Sequence, residues 1–201
     1  MAAMFQSIVD AISGSDWSYA IVFGVAALDA FFPLVPSETT VIAAGVLAAN
    51  GDLRIELVFL AAATGAICGD NVSFWLGKKF GEPVAEKIFK GERRRHLDRA
   101  HALLEERGGY LIVIARFIPG GRTAATFSAG SLNWAWKRFI KFDVLAGVIW
   151  GAYASLLGYF GGKTFENSPF KGFIVAFSLA LAITFTVEIV RWIRKRAAAP
   201  S

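Results

Sequence analysis

The sequence predicts an all-α integral membrane protein: an inverted repeat of a re-entrant helical hairpin plus a transmembrane helix, with an amphipathic linker helix and a C-terminal transmembrane helix. Three observations predict it. The chain is 55% hydrophobic, with a mean hydropathy of +0.50 and only 18% charged residues, less charge than a soluble domain of this size carries. Two apolar stretches are interrupted, at Pro33-Leu34-Val35-Pro36-Ser37-Glu38 and at Arg116-Phe117-Ile118-Pro119-Gly120-Gly121-Arg122. Proline and glycine break a helix, and a charge in hydrocarbon is costly, so paired charged breaks point to a polar site inside a bilayer. A shift of 85 residues places Gly45-Val46-Leu47 on Gly130-Ser131-Leu132, and Gly77-Lys78-Lys79-Phe80 on Gly162-Lys163-Thr164-Phe165. Each half then reads hairpin followed by crossing helix.

The elements follow in order within one membrane domain, 1–201. Met4, Phe5, Ile8, Val9 and Ile12 recur at helical spacing, which predicts a short interfacial helix over 3–13. The first hairpin covers 17–49: Trp17 to Phe32 stops at Pro33, and Thr39 to Ala49 is too short to cross alone. Such backbone sits at membrane depth only when protein or a water cavity surrounds it. Asn50-Gly51-Asp52 is a turn, and the first crossing is 55–77, ended by Gly77-Lys78-Lys79. Residues 82–107 are charged, yet Val84, Ile88, Leu97, Ala100, Leu103 and Leu104 keep helical spacing, which predicts an amphipathic linker lying on the membrane. The second hairpin spans 109–132 around Pro119-Gly120-Gly121, and crossings at 139–160 and 170–193 complete the chain. Trp134 and Trp136 suit an interface belt, and Gly158-Tyr159-Phe160-Gly161-Gly162 reads as the end of a helix.

Nine of the 21 Lys and Arg lie between Lys78 and Arg107, and Arg191, Arg194, Lys195 and Arg196 lie near the end. In a soluble protein these would suggest nucleic acid. Flanking apolar spans, they mark cytoplasmic loops and a cytoplasmic C-terminus. The two hairpins then enter from opposite faces. The first residues carry only Asp10 and Asp16, so no basic signal region is read and the segment is expected to be retained. With Cys68 alone, no disulfide forms within the chain and no thiolate metal site is built. His96 and His101 do not share a helix face, and no Ser-His-Asp pattern, P-loop or dinucleotide fingerprint occurs. The expectation is a protein that is not an enzyme, without cofactor or metal.

The chemistry is expected at the interruptions. Arg116 and Arg122 flank the second tip, and a guanidinium fork suits phosphate oxygens. Gly120 and Gly121 let backbone amides approach a ligand, and a helix beginning near Thr123 points its positive end there. Together these form an anion site; the plainer role is that the arginines lock the fold by pairing with Glu38 and Asp70. Ser37 suits a helix cap. Glu38, at the start of a deep short helix, is costly to keep ionised and suits a proton or cation relay. Asp70, with Asn71 and Ser73, is either part of that relay or a polar helix end near Lys78 and Lys79. Asp29 and Asp52 are further candidate acids. Asp143, close in sequence to Lys137, Arg138 and Lys141, reads as a surface pair, and Glu188 reads as structural.

These motifs resemble the DedA family of bacterial membrane proteins, the SNARE-associated Golgi-protein or VTT-domain group in eukaryotes. The resemblance rests on Pro33-x-x-Pro36-Ser37-Glu38 with Gly45, Gly69-Asp70-Asn71 with Gly77, Arg116-Phe117-Ile118-Pro119-Gly120-Gly121-Arg122, Ala129-Gly130 and Gly158-Tyr159-Phe160-Gly161, across about residues 20–165. It implies two opposed re-entrant loops and movement of lipid across the bacterial cytoplasmic membrane: undecaprenyl phosphate in some members, phospholipid in others, with H+ or Na+ coupling. Carried over by position, Glu38, Arg116 and Arg122 match charged residues considered functional. The family's acidic residue after the first hairpin has Asp52 as its nearest counterpart. The partners expected are therefore a membrane lipid and H+ or Na+, without nucleic acid; self-association into a homo-oligomer is left open. The alternative function is an ion-coupled exchanger or membrane-homeostasis factor that moves no lipid.

Overall fold

The computed structural model describes residues 17–30, 37–88, 108–118, 121–165, 170–171, 173–179 and 182. Among them no β-strand occurs. The helices are α1 (Trp17–Leu28), α2 (Ser37–Ala49), α3 (Ile55–Ile88), α4 (Tyr110–Ala115), α5 (Gly121–Ser131) and α6 (Trp136–Thr164). Residues 173–179 are also helical. The interfacial helix expected over 3–13, the tip residues Pro33, Pro36, Pro119 and Gly120, the linker beyond 88, both histidines and Glu188 lie outside the described residues.

Among the described residues two helices are long and apolar enough to cross a membrane, Ile55–Gly81 within α3 and the whole of α6. Their exposed faces are apolar: Leu60, Val72 and Trp75 on α3, and Leu145, Ile149 and Phe160 on α6. A contiguous apolar exterior of this kind is unusual on a soluble monomer and fits hydrocarbon. α3 does not stop at Gly77 as its sequence suggests. Glycine alone costs about 1 kcal/mol in a helix interior, and α3 continues to Ile88.

α2 is only 13 residues long, yet every residue from Thr39 to Ala48 is buried. A helix apolar all round needs neighbours on all sides. α2 packs on α6, on α1 and on α3; α5 packs on α3; α1 packs on α3, and α4 on α6. α3 also packs on α6; exchanging the two halves of the chain leaves that contact in place, while α1 on α3 becomes α4 on α6 and α2 on α6 becomes α5 on α3.

Small residues make these approaches. A Cβ on Gly45 would sit 2.5 Å from the Ser155 carbonyl oxygen of α6, and one on Gly130 would collide with the Phe74 carbonyl oxygen of α3. Close backbone contact through small residues is how membrane helices associate without a hydrophobic drive. Gly158 and Gly162 serve the same contact from the other side, against Ile42 and Val46. They lie inside α6 rather than terminating it, which corrects the sequence expectation: they are small because α2 needs the space.

The larger apolar core includes Val22, Ile42, Val46, Val58, Ala66, Trp150 and Phe173. A smaller one holds Phe74, Ile112, Ala129 and Phe139. Asp70 lies on α3 one turn from Ala66 of the first and one turn from Phe74 of the second, so a charge is placed where the two cores adjoin.

Candidate functional site

Three helices, α3, α5 and α6, and the residues that follow α1 and α4 bring five charged side chains together there. Asp70 projects from the middle of α3 and is fully buried. It is on the face of α3 that also buries Ala62, Ala66, Ser73 and Phe74, a repeat of three and four that points toward α1 and α5. Its Oδ2 accepts a hydrogen bond from Arg116 Nη1, and its Oδ1 accepts one from Arg122 Nε at 2.7 Å. One carboxylate therefore holds both arginines of the second tip.

Arg122 is the second residue of α5, where a cation opposes the helix dipole. Acids and carbonyls offset this. Besides Asp70, its Nη1 donates to Asp29 Oδ2 at 3.0 Å, and its Nη2 donates to the carbonyl oxygens of Ala66 at 3.1 Å and Ala26 at 3.3 Å. It thus joins α1, α3 and α5. Asp29, just past α1, also accepts a hydrogen bond from Ser37 Oγ at 2.7 Å. The Ser37 hydroxyl expected to cap α2 instead links the start of α2 to Arg122 through Asp29.

Arg116, which follows α4, is 7% exposed. Beyond Asp70, its Nη1 lies 3.5 Å from Asp143 Oδ1. Its Nε and Nη2 are buried without a hydrogen-bond partner. The guanidinium stacks over Trp150 of α6, 5.6 Å from the ring centroid, a cation–π contact strengthened by desolvation.

Asp143 corrects the expectation of a surface pair. It is fully buried on α6, and its partners are Arg116 and Asn71, whose Nδ2 donates to Asp143 Oδ2 at 3.1 Å. Asn71 is held in turn by Trp136, whose Nε1 donates to Asn71 Oδ1 at 2.8 Å. Helical geometry decides the matter: Asp143 shares a face with Phe139, Ala146 and Trp150, while Lys137, Arg138 and Lys141 are exposed.

Glu38 is the half-buried exception near the start of the buried α2. It interacts with Asp29 and faces the Tyr153 hydroxyl, beyond direct hydrogen-bond reach. It therefore borders the network. Asp52 is exposed in the turn after α2, and no ion pair joins it to the network among the described residues. The Gly121 amide donates to the Ile118 carbonyl at 2.8 Å, so the described amide of the second tip is engaged within the chain. Asp70 is no helix-end residue beside Lys78 and Lys79; it is the centre of the site.

Counted formally, three buried or half-buried aspartates face two arginines, with Glu38 beside them. Such ionic groups are expensive inside a membrane and mark ion or substrate paths. Chemically, the arrangement offers an arginine edge with free donors over an aromatic face, and acids able to take or release protons.

The family description of the VTT domain matches residues 35–160. The chain is 32% identical over 193 residues to protein DedA of Escherichia coli strain K12, covering 91% of this chain and 86% of that protein. It is 31% identical over 173 residues to an uncharacterized membrane protein of Mycobacterium tuberculosis strain H37Rv, covering 84% and 76%. An uncharacterized membrane protein of Synechocystis is 31% identical over 147 residues, covering 72% and 66%. No solved structure matches the chain.

Proposed function

The chain belongs to the DedA family of VTT-domain membrane proteins, and on that footing we propose that it moves a lipid phosphate across the bacterial cytoplasmic membrane. Undecaprenyl phosphate is the substrate we favour, with H+ or Na+ movement coupled to it. The observation that carries this reading is the free edge of Arg116: a buried guanidinium with Nε and Nη2 unpartnered. Two adjacent N–H groups in a fork match two oxygens of a phosphate. The isoprenyl tail needs no polar path, because it stays in hydrocarbon while the head crosses.

In this reading the hairpins α1–α2 and α4–α5 are re-entrant, enter from opposite leaflets and meet at the ionic network, with the C-terminus cytoplasmic. Their reciprocal packing on α6 and α3, and the link from Ser37 through Asp29 to Arg122, support that arrangement. Arg116 contacts the phosphate. Arg122 holds the tips together, and Glu38 and Asp70 are the acids of the coupling path. No covalent step is required of the protein.

The test uses the purified full chain in liposomes containing undecaprenyl phosphate, with a membrane-impermeant phosphate probe outside. Protein should raise the rate at which the inner-leaflet pool becomes accessible, and Arg116→Lys should abolish most of that gain. Equal rates in empty, wild-type and Arg116→Lys liposomes would remove the proposal. Proton or sodium flux with no lipid phosphate present would favour the ion-exchanger alternative.

A further inference from the structure

Asp143 is the buried acid that the family reading leaves without a task, and its surroundings differ from those of the other two aspartates. Asp70 receives hydrogen bonds from both arginines. Asp29 receives Arg122 Nη1 and Ser37 Oγ, and keeps 20% side-chain exposure. Asp143 has no exposure at all. Its Oδ2 accepts from Asn71, while its Oδ1 receives no hydrogen bond and lies 3.5 Å from Arg116 Nη1, the same nitrogen that donates to Asp70. Asp70 and Asp143 therefore meet at the same nitrogen of Arg116. Two carboxylates meeting at one guanidinium nitrogen repel each other, and an ionised buried oxygen that receives no hydrogen bond loses its solvation without full replacement. A neutral acid resolves both conditions, because its O–H donates to the neighbouring carboxylate.

We propose that Asp70 and Asp143 form a proton-sharing carboxyl pair in which Asp143 is the neutral member, its Oδ1–H directed at Asp70. The charged groups facing the pair are Arg116 and Arg122 from the second tip and, through Arg122, Asp29 from the first. With one proton on the pair, two negative charges balance two positive ones. The network is then neutral before any ligand arrives. Without that proton, three carboxylates would face two guanidiniums, and Arg116 would have no positive field left for an anion.

The consequence for substrate rests on the lipid-phosphate reading: loss of the Asp143 proton expels a phosphate head from Arg116, and its return readmits one. The proton would be a coupled ion of the cycle, bound on α6 at a site separate from Glu38.

Infrared spectroscopy of the full chain in micelles at neutral pH tests the proton directly. A protonated-carboxyl C=O band, shifted by 13C-aspartate labelling, should be present in wild type and absent in Asp143→Asn. The amide is a neutral isostere of the acid, so Asp143→Asn should keep the wild-type melting temperature, whereas Asp70→Asn should lower it. Absence of the band in wild type would overturn the proposal. So would an Asp143→Asn protein that fails to fold or melts as low as Asp70→Asn.

A second measurement separates this proposal from the function it builds on. Binding of a short-chain isoprenyl monophosphate should weaken at least tenfold in wild type as pH rises through the loss of the band, and should stay level in Asp143→Asn. If that probe binds neither protein at any pH while the band is present, the lipid-phosphate reading fails and the proton site stands. Identical pH profiles in both proteins would overturn the role given to Asp143.

Discussion

The two arginines of the second tip carry the same charge but are not equivalent, and replacing each with lysine makes the difference measurable. Arg122 donates from all three nitrogens, to Asp70, Asp29, Ala66 and Ala26. An ammonium retains the charge but offers three donors around one point, and it cannot span acceptors on opposite edges of a guanidinium. At least two of the four hydrogen bonds are lost. Side-chain hydrogen bonds between membrane helices average about 0.6 kcal/mol and reach about 1.7. The cost of Arg122→Lys is therefore ~1–3 kcal/mol, a shift of roughly 5- to 150-fold in the folded-to-unfolded ratio. Arg116 contacts both its acids through Nη1 alone, and its other two nitrogens lack protein partners. A lysine there can keep the Asp70 contact, so Arg116→Lys should cost less stability than Arg122→Lys while losing the fork that grips phosphate. The assay is thermal unfolding of the purified chain in micelles, beside lipid-phosphate transport in liposomes. Arg122→Lys should lower the melting temperature more than Arg116→Lys, by roughly 2–12 °C against wild type. The larger transport defect per folded molecule should belong to Arg116→Lys. Equal melting temperatures, or a lower one for Arg116→Lys, would refute the division of labour drawn from the hydrogen bonds.

Other expectations are simpler to check. Gly130→Ala should destabilise by about 1–3 kcal/mol, because the new methyl meets the backbone of α3 and not a movable side chain; Gly24→Ala meets nothing within 4 Å and should be neutral or gain up to about 1 kcal/mol of helix propensity. Similar melting temperatures for the two variants would count against the close α3–α5 approach. Trp136→Phe removes the donor that orients Asn71 and should cost about 1 kcal/mol, seen as a lower melting temperature; Asn71→Leu, which also takes the donor from buried Asp143, should lower it further. The single cysteine, Cys68, is exposed on α3 among lipid-facing residues; in native membranes a charged maleimide should leave it unmodified while an apolar one labels it. Rapid labelling by the charged reagent would place that face in water.

Much of this architecture is legible from residue order. The proline and glycine interruptions mark where α1 gives way to α2 and α4 to α5, because helix breaking is local chemistry and needs no tertiary context. The apolar stretches that form α3 and α6 are evident for the same reason. Arg116 and Arg122 stand out because a guanidinium beside an apolar run is costly unless an acid or a ligand meets it, and the structure buries both. What is not legible depends on helix phase and on distant partners. The lysines and arginine nearest Asp143 in sequence suggest the surface; a helical wheel puts it on the stripe of Phe139, Ala146 and Trp150. That stripe is the signal that finds it. Asp29 cannot be chosen over Asp52 locally, since its partners Ser37 and Arg122 come from two other elements. The length of α3 is hidden because lysines and a glycine resemble a stop, although a helix supported by α5 passes through them.

The enclosure of α2 from Thr39 to Ala48 also bears on how the molecule is made. Its chief neighbour, α6, is synthesised only after α3, α4 and α5, so nascent α2 has no finished seat when it leaves the ribosome. Until α6 follows, the apolar surface of α2 lacks its main partner. A chain stopped after α3 would then be a natural target for quality-control proteolysis, and the two halves, though alike in layout, would mature as one indivisible unit.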